Sequence, residues 1–122
     1  MILVIIGSAL LIIWGIAHLI PTKGVVSEFG EISLDNKRII YMEWINEGLT
    51  LIFMGVLMIL LASFGTIGST VNTIAAVCVI VMLAAMSVLS LLTGFKVNFI
   101  PYKLCPVIFS ISAILIAIGS FI

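Results

Sequence analysis

The stretch IIYMEWINEGLTLIFMGVLMILLAS, residues 39–63, is apolar enough to cross a bilayer and carries two carboxylates, Glu43 and Glu47, in its first half. At about 1.5 Å rise per residue, a helix of this length exceeds a hydrocarbon core of about 30 Å. An ionisable side chain at mid-helix costs at least about 2.5 kcal/mol on insertion scales, so it usually faces a partner, a cavity or water. All five acidic residues of the chain lie between Glu28 and Glu47, so this region concentrates both the charge and the candidate chemistry.

Composition extends the reading to the whole chain. It is 64% hydrophobic and 8% charged, with a mean hydropathy of +1.50, whereas soluble domains carry about 25% charged residues. Three further apolar stretches match the first in kind, and the expected spans are residues 2–20, 39–63, 71–93 and 104–122. In lipid every backbone group must be paired internally, and no alternation of polarity suggests a barrel. The expected fold is all-α, a polytopic four-transmembrane-helix bundle forming one domain over residues 1–122. The first stretch lacks a basic leader and an Ala-x-Ala-type cleavage site, so it reads as a mature helix rather than a signal peptide.

Every Lys and Arg falls in two connections. Lys23, Lys37 and Arg38 lie in residues 21–38, and Lys96 and Lys103 in residues 94–103. The positive-inside rule then predicts a multi-pass protein of the cell membrane with both of these loops cytoplasmic and both termini outside. The same imbalance argues against dual topology.

On a helix, Glu43 and Glu47 share one face, which Thr50 and Met54 continue. His18 ends the first span on a stripe with Gly7, Leu11, Trp14 and Gly15, and a glycine there lets another helix approach closely. His18 and the two carboxylates flank the same loop and so belong at similar depth. An imidazole and a carboxylate so placed can hold a proton, a metal or a polar head group. Their plainer roles are an amphipathic anchor for His18, a solvated helix start for Glu43 and an interhelical hydrogen bond for Glu47. Trp14, Tyr41, Trp44, Phe99 and Tyr102 read as an aromatic belt at the same face, and Tyr41, Trp44 and Tyr102 would also suit as walls of a pocket for a ring or an isoprenoid tail.

Other features read as packing or as exclusions. Ser110, Ala113, Ala117 and Ser120 form a small-residue stripe, and Ala84, Ser87 and Leu91 a mixed one. Cys78 and Cys105 are expected as buried thiols too far apart to pair. Asp35 with Asn36 is expected to cap the second span. Neither HExxH nor ExxH occurs, so no metal is assigned, and a single histidine would need a second copy to give bis-histidine haem. No nucleophile or phosphate loop is present, and nothing indicates nucleic-acid binding.

The run Gly15-Ile-Ala-His18-Leu-Ile-Pro21, a polar loop, then Glu47-Gly48 and a further glycine at Gly55, resembles the DoxX-like family of small four-helix membrane proteins. The resemblance covers roughly residues 11–60 and carries over His18 and Glu47. It implies a four-helix bundle that serves in some cases as the membrane subunit of a quinone-linked sulfur oxidoreductase. The leading expectation is therefore a binding or accessory subunit holding a quinone or lipid-like ligand near His18, Glu43, Glu47, Trp44 and Tyr41. Its partners would be the bilayer and either further copies or a redox complex, and it would not act as an enzyme alone. A small proton-coupled transporter and a ligand-free assembly factor are the alternatives.

Overall fold

The computed structural model describes residues 1–122 and contains helices alone. Four of them are long and apolar enough to cross a membrane. They are α1 (Ile2–Leu19), α3 (Leu34–Phe64), α4 (Thr70–Leu92) and α5 (Ile100–Phe121), with a short α2 (Thr22–Ser27) after α1 and a 3-10 turn at Gly94–Lys96 before α5. The architecture is the all-α four-helix membrane bundle expected from composition. Large exposed apolar side chains such as Ile13, Phe53, Val81 and Ile114 cover its outside, as a lipid-facing surface requires.

The boundaries differ from the apolar runs where polar residues begin a helix. α3 starts at Leu34 rather than at residue 39, because Ser33 Oγ accepts the Asn36 backbone N–H at 3.1 Å. Ser33 is thus the cap, and Asp35 sits in the first turn, where a negative charge suits the helix dipole. With 31 residues α3 is about 46 Å long, so roughly a third of it projects beyond a hydrocarbon core. The loop over residues 21–38 also contains α2, which buries Val26 and packs on α3, before Gly30 turns the chain at φ 72°. α5 begins four residues before the expected 104, with Pro101 in its first turn, where no N–H is needed.

α1 lies at the centre of the packing. It contacts α3 on one side and α5 on the other, and α4 packs mainly on α5. Apolar association gains little in lipid, so helices hold together through close van der Waals contact and hydrogen bonds. Glycine makes that closeness available here. A Cβ on Gly15 would stand 2.8 Å from the Gly48 carbonyl oxygen, and one on Gly55 2.6 Å from the Ser8 carbonyl oxygen. On the α5 side, Gly7 faces the Ser112 carbonyl and Gly119 faces the Val4 backbone nitrogen. The buried residues of α1 that follow this seam, Val4, Ser8, Leu11, Gly15 and His18, recur every three or four positions, and Gly48, Leu51, Gly55 and Met58 answer from α3.

Polar groups inside the bundle are mostly paired. Ser87 Oγ donates to the Pro106 carbonyl at 3.1 Å and lies 2.8 Å from Ser110 Oγ. A carbonyl can only accept, so the single Ser87 proton is spent there and Ser110 is the donor between the hydroxyls. Asn72 Nδ2 donates to the Leu61 carbonyl at the end of α3, in a space that a side chain at Gly65 would fill. Of the small-residue stripe of α5 only Ala113 is buried, with Ser110, Ala117 and Ser120 half-buried, and on α4 only Ser87 is buried, with Ala84 and Leu91 exposed. Both cysteines are free, and Cys78 is exposed on the lipid-facing side of α4 rather than buried, because α4 turns Ala76, Val79, Leu83 and Ser87 to the core instead.

Gly55→Val should lower the unfolding free energy in detergent by more than about 2 kcal/mol, because backbone and a packed Ile12 would have to move. Gly24→Ala, with nothing within 4 Å of the new Cβ, should be neutral or stabilising by up to about 1 kcal/mol. Thermal unfolding of the two variants side by side tests the seam.

Candidate functional site

His18 sits one residue before the end of α1, where the Gly15 and Gly48 contact holds α1 hard against α3. The ring lies flat on the Trp44 indole, centroids 3.9 Å apart and planes 15° from parallel. Two hydrogen bonds tie the same two residues in opposite directions. Trp44 Nε1 donates to the His18 carbonyl at 2.8 Å, and His18 Nε2 lies 3.1 Å from the Trp44 carbonyl. Because that carbonyl can only accept, Nε2 carries the proton, and in the neutral ring Nδ1 is the acceptor. The His18 carbonyl belongs to the last turn of α1, which has no intrahelical donor, so the indole N–H satisfies a group that would otherwise be orphaned.

Glu47 completes this corner. Its Oε2 is 3.6 Å from His18 Nε2, within ion-pair range but beyond a good hydrogen bond. The His18 side chain is 6% exposed and that of Glu47 37%, so the imidazole is inside and the carboxylate opens outward. Glu47 accepts no hydrogen bond from any protein group. The neighbouring donor one turn on, Thr50 Oγ1, is already given to the Asn46 carbonyl at 2.7 Å.

α5 supplies the third wall. Tyr102 meets Trp44 edge-on with centroids 5.9 Å apart and in turn touches Phe99 at 5.7 Å. An aromatic row His18, Trp44, Tyr102, Phe99 thus crosses three helices. His18 meets both Glu47 and Trp44, and Trp44 meets Tyr102, so these four side chains share one neighbourhood. Pro106, inside α5, has no N–H for the carbonyl four residues back, which is that of Tyr102. Lys103, next to Tyr102, is turned away, its Nζ donating to the Phe95 carbonyl at 2.9 Å and standing 5.0 Å above the Phe95 ring.

Of the residues singled out in the sequence, His18, Trp44 and Glu47 are in contact, and Tyr102 joins them. Glu43 shares the helical face of Glu47 but is exposed and makes no ion pair or hydrogen bond. Tyr41 is half-buried and makes no ring contact or hydrogen bond with the His18 corner. The backbone carbonyls of His18 and Trp44 escaped sequence reasoning, as backbone acceptors leave no residue-type signal. Trp14 also contributes a buried indole N–H without an acceptor, and Trp14 and Cys105 both pack, partly buried, against the apolar core. The best-formed crevice lies at the other end of the bundle, between Met1, Met58, Asn72 and Gly119, with a volume of about 30 Å³, room for about one water.

Comparison with protein families, with curated proteins and with solved structures finds no match to this chain.

Trp44→Phe retains an aromatic ring over His18 but removes the Nε1–H, and should destabilise the bundle by about 0.5–2 kcal/mol. In a double-mutant cycle with His18→Ala, a coupling of about 1 kcal/mol or more is expected. Additive effects would show that the stacked, reciprocally bonded pair is not an energetic unit.

Proposed function

We propose that this chain binds a lipid-like amphiphile, such as a quinone, with the polar head at His18 and Glu47 and the tail along the lipid-facing side of α1 and α3. In this reading it is a binding or accessory subunit of a membrane assembly, not an enzyme by itself. The observation that carries the reading is Glu47: a carboxylate on the long apolar helix α3, 37% exposed, 3.6 Å from a buried imidazole and receiving no hydrogen bond from the protein. A group so expensive to hold in lipid, and so poorly served by the protein, calls for an external partner. Trp44 and Tyr102 give the head an aromatic border, and the likeness of the Gly15 to Gly55 region to DoxX-like proteins runs in the same direction.

A ligand-free role as an assembly or scaffold protein is the second reading. It draws on the reciprocal bonds between His18 and Trp44, which use the imidazole to fasten α1 to α3. Lipid-targeted mass spectrometry of the detergent-purified protein separates the two. Wild type should carry an isoprenoid or other lipid that His18→Ala and Glu47→Gln both lose. If no lipid copurifies and the variants differ only in stability, the scaffold reading replaces the binding one.

The distribution of Lys and Arg supports a cytoplasmic location for residues 21–38 and 94–103, and so for the His18 corner. A fluorescent protein fused after Ile122 should then stay dark, and an alkaline phosphatase fused there should be active. The opposite pattern would reverse the assigned orientation.

A further inference from the structure

Hydrogen-bond donors and acceptors around His18 are unequally spent. Apart from the Tyr102 hydroxyl and the buried Trp14 N–H, the side-chain donors around His18 are already given to carbonyls of the protein. His18 Nε2–H faces the Trp44 carbonyl, Trp44 Nε1–H is given to the His18 carbonyl, Thr50 to Asn46 and Lys103 to Phe95. Trp14 Nε1–H is sealed within the bundle and cannot reach an incoming group. Further out on α3, Arg38 stands 3.6 Å from Asp35. What remains is lone pairs. Both oxygens of Glu47 are open, Nδ1 of a neutral His18 is an acceptor, and Pro106 deprives the Tyr102 carbonyl of its helical donor. Only the Tyr102 hydroxyl can act either way.

Resting on the amphiphile-binding reading, we infer that the head group held here is a hydrogen-bond donor, a hydroxyl or an ammonium, and not an acceptor-only carbonyl. Within a redox couple of ring lipids, the site takes the reduced, hydroxylated member. A quinone carbonyl brought to Glu47 would set lone pairs against lone pairs in a site of low polarity. A quinol hydroxyl or an ammonium would give the carboxylate the bond it lacks. Sites built to bond a hydroxyl discriminate strongly against analogues without one, since the buried partner is then left unsatisfied.

The test uses purified wild-type protein in detergent and three probes with the same decyl tail: a benzoquinol, the matching benzoquinone and decylammonium. Equilibrium dialysis should show at least one donor-headed probe binding about tenfold or more tighter than the quinone. Whichever donor binds better tells hydroxyl from ammonium. Glu47→Gln, of equal size but offering a donor of its own, should shrink the preference to about threefold or less. Should that variant fail to fold, the wild-type ratio decides alone. Quinone binding that equals or exceeds both donors, yet is still lost in Glu47→Gln, overturns the inference while leaving the amphiphile site standing. If no probe binds and no lipid copurifies, both fall.

Discussion

The close approach of the α1 and α3 backbones is the constraint on which the rest of the structure depends. In lipid there is no apolar driving force to pull helices together, so the contact has to be won at short range by packing and hydrogen bonds. Gly15 and Gly48 permit it, since any side chain at Gly15 would meet the Gly48 carbonyl at 2.8 Å. Once the axes are this near, His18 falls level with Trp44, and rings and backbone carbonyls can be exchanged between the helices. Gly7 and Gly119 repeat the device against α5, which makes α1 the element on which both neighbours are mounted.

The same closeness sorts the polar groups. At the end of the bundle holding both termini, Asn72 closes the end of α3, and within the α4 and α5 pair Ser87 and Ser110 close on the Pro106 carbonyl. At the His18 end the histidine and tryptophan satisfy one another's backbones. Glu47 is left over. It stands beside the imidazole without receiving the imidazole proton squarely, because the Trp44 carbonyl is nearer at 3.1 Å than Glu47 at 3.6 Å. A clasp that holds the helices together and a carboxylate that remains available are therefore parts of one arrangement, and the stability of the first keeps the second in place.

Much of this was legible in the residues. Four apolar runs with no alternation left helices as the only economical answer, and the stripe ending at His18, with glycine at position 15, pointed to a tightly packed face. Equal depth of His18 and Glu47 followed from their flanking one loop. α3 starts before its apolar run because its first turn is polar, and hydropathy marks where a helix enters lipid, not where its hydrogen bonds begin; Ser33 decides the latter. A helical wheel groups Glu43 and Tyr41 with the corner because it gives a face but not a neighbour, and neither touches the ring of His18.

The sequence by itself determined the membrane class, the four apolar spans and the placing of His18 and two carboxylates at one end, because these follow from hydropathy, loop length and helical period; the structure alone chose Glu47 as the carboxylate beside His18. The tertiary structure alone decided that α5 stands beside α1, bringing Tyr102 to the same corner, and that His18 gives its proton to a backbone carbonyl. Those facts arise from the lateral order of helices and from main-chain acceptors that every residue carries, and neither is encoded in the identity of any single side chain.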